Sequence, residues 1–202
     1  MGLFDDITDR VEGFFDEVFI PEDVRRLLDR ADRLIERGDH EQALRLLGRA
    51  SDRHPGLART QHLAGLCHLY RDEYDQARDR FEKAIERREE PASHFYAGLA
   101  AEQSGDLQSA RVHYNRALAT SVAPPFEFDL RFGLGRVYLQ EERFDKAERE
   151  LRKARRLASD AHEVTVALAR VLFERDAFEE SRELLDSLDS THVDADVHVL
   201  LG

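Results

Sequence analysis

The chain carries nine His, one Cys and 42 Asp and Glu residues, the side chains from which metal sites, nucleophilic centres and acid–base pairs are assembled. Chemistry requires them to converge. A zinc protease would show His-Glu-x-x-His on a helix, a nucleotide enzyme a Gly-rich phosphate loop, and a thiol redox centre paired Cys. The sequence contains none of these. The closest His set is His62, His68 and His94. On a helix, residues six apart such as His62 and His68 point about 120° away from each other, so they do not converge on a metal. Cys67 lies between Leu66 and His68 with no Cys/His/Asn arrangement and reads as a small buried thiol. Glu148 and Glu150 stand among Arg149, Arg152 and Lys153, the spacing of a solvated helix face. No catalytic residue, metal site or cofactor is expected, and the chain does not read as an enzyme.

The elements that carry these residues follow from composition and periodicity. A chain of 202 residues, 42% apolar and 36% charged, with five Pro and no Trp, fits one soluble, helix-rich domain with a substantial core. A net charge of −12 excludes a basic nucleic-acid footprint. No apolar run is long enough for a membrane-spanning helix. The N-terminus lacks the basic start and apolar stretch of a signal peptide. The lone Cys67 forms no intramolecular disulfide, which suits a reducing, cytoplasmic location.

Spacing repeats along the chain where letters do not. Small residues stand at Ala31, Gly65, Gly98, Gly135, Ala169 and Gly202. A second column holds His40, Tyr74, Leu107, Phe144 and Phe178, followed three residues later by Ala43, Ala77, Ala110, Ala147 and Ser181. Large residues come next, at Leu47, Phe81, Tyr114, Leu151 and Leu185, and then Ala50, Ala84, Ala117, Ala154 and Leu188. All columns step by 33 or 34 residues except for one step of 37, across "SVAPPFEF" from Ser121 to Phe128. Steps of three and four keep residues on one helical face, where small side chains let helices approach and large ones fill the space beside them. Turn signals divide the pairs at Gly38-Asp39 and Gly105-Asp106, and more weakly at Asp72-Glu73, Glu142-Arg143 and Arg175-Asp176. Pro55 and Pro91 mark breaks between pairs. The longer step reads as a connection that bends the stack, with a recognition loop as the alternative.

These columns resemble the tetratricopeptide repeat, a 34-residue helix–turn–helix unit. The resemblance spans residues 24–194 as five units, lacks the early Trp of the family pattern throughout, and implies an all-α, right-handed α-solenoid of antiparallel helix pairs. It further implies that the first helix of each pair lines a concave face that binds a peptide or helix of a partner. The protein-binding residues it points to are His62, Leu66, Tyr70, Phe95, Leu99, Phe132, Arg136, Arg170 and Phe173, aromatics and Arg being the types that dominate interface energetics. Leu66 and Leu99 also suit simple packing between helices. A carboxylate clamp of the kind some family members use on chaperone tails is disfavoured, because Leu28, Asp32, Leu63, Ala92 and Tyr96 occupy its positions. The function implied is a non-catalytic protein-interaction scaffold or adaptor. The alternative is a structural or regulatory segment of a longer polypeptide or a homo-oligomer.

Both ends fall outside the five units. Residues 1–23 hold eight acidic residues and Arg10, a net of −7. Within them Leu3, Phe4, Ile7, Val11, Phe14, Phe15, Val18 and Phe19 share one helical arc, with Asp5, Asp6, Asp9, Glu12, Asp16 and Glu17 opposite. Such a helix must bury its apolar side. Its acidic face argues against a membrane, whose helices carry Lys and Arg. Capping of the first unit is expected; autoinhibition of the groove and docking to a partner or second copy are the alternatives. The docking side chains are Phe4, Ile7, Val11, Phe14, Phe15 and Val18. At the other end "ADVHVLLG", residues 195–202, reads as the start of a sixth unit, which suggests a truncated repeat or self-association there.

Overall fold

The computed structural model describes residues 20–120, 126–159 and 161–188. Among the described residues there are ten α-helices and no strand. They are α1 (Glu22–Glu36), α2 (His40–Arg53), α3 (Ala58–Leu69), α4 (Tyr74–Arg87), α5 (Pro91–Gln103), α6 (Leu107–Leu118), α7 (Glu127–Gln140), α8 (Phe144–Leu157), α9 (His162–Glu174) and α10 (Phe178–Asp186). The column His40, Tyr74, Leu107, Phe144, Phe178 is thus the first residue of every second helix.

Each pair turns the same way for one backbone reason. The residue after the first helix's last turn takes positive φ: Gly38 at 76°, Asp72 at 57°, Gly105 at 83°, Glu142 at 56° and Asp176 at 61°. That conformation aims two successive N–H groups back at the helix's orphan carbonyls. Gly38 N–H donates to Ile35 O at 2.9 Å and Asp39 N–H to Leu34 O at 2.8 Å; Glu142 and Arg143 repeat the pattern onto Leu139 and Tyr138 at 3.0 and 2.8 Å. The three weak turn signals therefore mark the same geometry as the two Gly turns, held by Asp or Glu. Asp39 and Asp106 then cap the following helices, accepting from the N–H of Gln42 and Ser109, each at 3.1 Å. Pro91 opens α5 at its first position, where its missing N–H leaves no helical bond unmade.

The small and large columns meet face to face, 16 residues apart. A Cβ placed on Gly65 would stand 2.6 Å from the Phe81 ring, on Gly98 2.7 Å from Tyr114, and on Gly135 2.5 Å from Leu151. The ring or branched chain of the second helix rests on the bare backbone of the first. Ala43, Ala77, Ala110 and Ala147 are fully buried beside these contacts. Ser181, where the other units hold Ala, directs its hydroxyl onto Ala169 O at 2.7 Å and is satisfied there.

The chain divides into two compact bodies at Pro125/Phe126, within the stretch where the repeat step lengthens. In the first, α1–α6 each pack on the next, and first helices touch first helices. In the second, α7–α10 do the same around a core of Leu151, Val164, Leu168, Val171, Leu172 and Leu185. No helix among the described residues is long and apolar enough to cross a membrane.

Candidate protein-binding surface

The nine residues expected to face a partner separate by body. In the first body His62, Leu66, Phe95 and Leu99 are only 1, 4, 3 and 6% exposed. They belong to the packing between neighbouring helices, which corrects their expected place on an open face. His62 of α3 reaches α5, its Nδ1 2.9 Å from Ser93 Oγ, and its ring lies edge-on to Phe81 and Tyr96. Complete burial drives its pKa down to about 3, with the Arg59 charge adding to the effect, so the ring is neutral. Phe95 packs edge-on to Tyr96 and against Tyr114. Tyr70 remains half-buried, its ring stacked on His40 at 5.2 Å and 9°. At the opposite end of α3 Arg59 reaches Asp32 at 2.5 Å and Asp29 at 3.6 Å.

The second body keeps its predicted residues nearer to solvent. Phe132 of α7 is half-buried, one side against the core. It stacks on Phe128 at 5.9 Å, and the Arg136 guanidinium lies 5.7 Å above its ring, a cation–π arrangement that holds both side chains in place. On α9, which packs on α7, Val166 is half-buried and Arg170 exposed. Phe173 is 38% exposed and meets Phe178, the 48% exposed first residue of α10, edge-on at 5.3 Å. Positions 132 and 136, and 166, 170 and 173, follow the spacing of single helix faces. Phe132 and Val166 both border the core of the second body, and Arg136 and Arg170 lie one turn further along their helices.

Phe128, Phe178 and His40 were not singled out from the sequence as surface partners. Of these only Phe128, four residues before Phe132 on α7, carried a spacing signal; His40 and Phe178 meet Tyr70 and Phe173 from a different helix. A second feature, the pairing of His94 with His113, had no sequence signal, since 19 residues separate them. Their Nδ1 atoms are 3.1 Å apart, and His94 Nε2 lies 3.5 Å from Glu89 Oε1. One proton serves the Nδ1–Nδ1 contact, so the two rings must be opposite tautomers. Burial first, then the neighbouring His94, Arg116 and Arg78 charges, push His113 down to about 4; burial also lowers His94. Cys67 is fully buried, and desolvation followed by the Asp32 charge raises its thiol to about 12, which leaves it unreactive at neutral pH. A shallow hollow in the second body is lined by Glu142, Arg143, Phe144, Asp145, Lys146 and Arg175, and there Arg175 is already engaged by Asp145 at 2.9 Å and by Glu148. Among the described residues no cluster of three or more His, Cys, Asp or Glu is arranged to hold a metal ion. The N-terminal residues Phe4, Ile7, Val11, Phe14, Phe15 and Val18, and the expected sixth unit, lie outside the described residues.

Antiparallel helix pairs in sequence, each closed by the same left-handed turn and three of them packed through the same small-on-large contact, define an α-helical repeat protein. The family is settled by comparison: three tetratricopeptide-repeat models match residues 23–90, 62–126 and 138–202, and the chain belongs to the tetratricopeptide repeat family. No curated protein matches it in sequence. Among solved structures it is similar in fold to a MamA double mutant from RS-1, with a TM-score of 0.77 at 17% identity over 90% of this chain and 96% of that one. It is also similar to YrrB, a TPR protein with an unusual peptide-binding site, at 0.73 and 18% identity over 86% and 88% of the two chains. PilF of Pseudomonas aeruginosa follows at 0.72 and 18% identity, covering 89% of this chain and 76% of its own.

Proposed function

We propose that this protein is a non-catalytic interaction scaffold that holds a peptide or helix of a partner protein against the α7/α9 face of its second body. The observation that carries this reading is the Phe132–Arg136 pair on α7. A half-buried aromatic locked under a guanidinium is a preorganised contact, which loses little conformational freedom on binding. Phe132, Val166 and Phe173 offer apolar surface for one anchoring side chain, and Arg136 and Arg170 offer guanidinium groups to a carboxylate nearby. The partner segment is therefore one with an apolar anchor flanked by Asp, Glu or a C-terminal carboxylate. Tyr70, stacked on His40, extends the same kind of recognition to the first body. His62, Leu66, Phe95 and Leu99 are buried within the first body and do not contribute to this face. Membership of a family built for protein contacts, and the fold likeness to a TPR protein with a peptide-binding site, agree with this reading.

The test is a charge reversal, R136E/R170E, against the wild-type chain. Retention of a partner from native extract on the immobilised wild-type chain, and its loss on the variant with unchanged helical circular dichroism, is the expected result. Equal retention by both would move the binding site elsewhere.

A further inference from the structure

Helix α8 carries six Lys or Arg against three Asp or Glu, in a chain whose net charge is −12. Its buried face is Ala147, Leu151 and Ala154. On the opposite side Lys146, Arg149, Lys153 and Arg156 fall within an arc of about 80° and span about 15 Å of helix. Lys146, Arg149 and Arg156 are exposed and Lys153 is half-buried. Among the described residues no carboxylate pairs with Lys146, Arg149 or Arg156. Lys146 Nζ lies 5.8 Å over the Tyr138 ring, a contact that leaves its charge unneutralised. Lys153 reaches Glu150 at 2.8 Å, but that carboxylate is shared with Arg131 at 2.9 Å.

The repeat does not ask for these cations. At the corresponding positions α4 has Gln76, Asp79, Lys83 and Glu86, with Lys83 and Asp79 paired at 2.6 Å. Helix α6 has Ser109, Val112, Arg116 and Ala119 there, and no other second helix is basic at all four. The stripe also works against its own helix. Its members are like charges three and four residues apart, a spacing at which they repel. Arg156 suits the C-terminal end of the helix dipole, but Lys146 stands in the first turn, where a cation is unfavourable. Folding therefore gives no reason for the stripe, and a contact with negative charge does.

We propose that the outer face of α8 is a second docking surface, for an acidic peptide segment of a partner protein. Charge complementarity selects the sign of the partner, and the rim of the stripe selects its width. Asp145, 81% exposed, borders the stripe at its start. Helix α10, tied to α8 by Arg152 and Glu180 at 2.7 Å, exposes Glu179, Glu180 and Glu183. An anionic membrane or a nucleic-acid duplex is broader than one helix and would bring its phosphates onto these carboxylates. A single peptide segment can follow the four cations and avoid the acidic rim. A second copy of the chain is disfavoured at long range, because each copy carries −12. Contacts of this exposed kind give fast, salt-sensitive association.

The test uses the full chain and a labelled Ala-rich peptide with Glu at spacings of three and four, which has no large apolar side chain for the α7/α9 face to hold. Fluorescence anisotropy at low salt should show binding to the wild type, little binding of the same peptide with Lys in place of Glu, and a loss of about ten-fold or more on R149E/R156E. R149Q/R156Q, which removes the charges without reversing them, should weaken binding by about three-fold. R136E/R170E should bind this peptide as the wild type does, so the two surfaces succeed or fail separately. No binding by the wild type, or equal binding by folded R149E/R156E or R149Q/R156Q, overturns the proposal. So does a loss confined to R136E/R170E. Sedimentation with phosphatidylserine vesicles that R149E/R156E abolishes, in place of peptide binding, would make the stripe a membrane contact and overturn it as well.

Discussion

At Gly135 the space for a side chain is already taken: a Cβ there would lie 2.5 Å from Leu151. G135A should therefore destabilise the protein by about 1–3 kcal/mol, the usual cost of overpacking a tight core. Thermal melts will show the cause through coupling, because Leu151→Ala should be less harmful in the G135A background than in the wild type. Equal and additive losses would mean that the two residues do not share one space. The buried imidazoles set the acid sensitivity. His62 and His113 have folded pKa values of about 3 and about 4, below the unfolded value of 6.5. Folded protein binds fewer protons than unfolded below that value, so stability is full above pH ~6.5 and declines as the pH falls towards the folded values. Asp106 and Glu73, whose pKa values are lowered by their hydrogen bonds, lose their contributions only at more acid pH. The melting temperature should thus fall by several degrees between pH ~7 and pH ~5, and His113→Gln should flatten that slope. A flat profile in the wild type would contradict the assignment. Neither feature had equal warning in the sequence. The glycine column was legible as close packing because it recurs in register. The His94–His113 contact was not, since it depends on how α5 and α6 face one another.

The helix pairs were readable because turns, caps and columns coincide at the same interval. The first residues of α2, α4, α6, α8 and α10 are the five members of one column. The left-handed residue occurs in all five turns, yet only Gly38 and Gly105 announce it by residue type. Asp72, Glu142 and Asp176 adopt it under the constraint of the two bonds that close each helix end, against the steric preference of a side chain. Replacing Glu142 or Asp176 with Gly should relieve that opposition and stabilise the protein by about 0.5–1 kcal/mol, whereas Gly105→Ala should destabilise it by a similar amount. Chemical denaturation midpoints will distinguish these signs, and a loss of stability in E142G would show that the turn is not strained. The same helices explain where the surface reading failed. Leu28, His62 and Phe95 occupy one position of successive first helices, and so do Phe132 and Val166. Within the first body this position is closed by the adjacent first helix, as the His62–Ser93 contact shows. Within the second body Phe132 and Val166 keep part of their surface. Periodicity gives the face of a helix and cannot give the depth of the neighbour that covers it.

At the scale of the molecule, recurrence of the columns in one register made the family legible. The geometry of the candidate surface was only partly legible. Aromatic and Arg positions were identifiable from spacing, but the cation–π contact of Arg136 with Phe132 and the Phe173–Phe178 pair depend on side-chain geometry. The account rests on the claim that the α7/α9 face recognises an apolar anchor flanked by carboxylate. Fluorescence anisotropy with labelled synthetic peptides tests it most directly, using one apolar sequence flanked by Asp and Glu and the same sequence flanked by Lys. The acidic peptide should bind the wild-type chain more tightly than the basic one, weaken as salt rises, and lose about ten-fold or more in affinity on R136E/R170E. Preference for the basic peptide, or affinity unchanged by the charge reversal in a folded chain, would contradict the account.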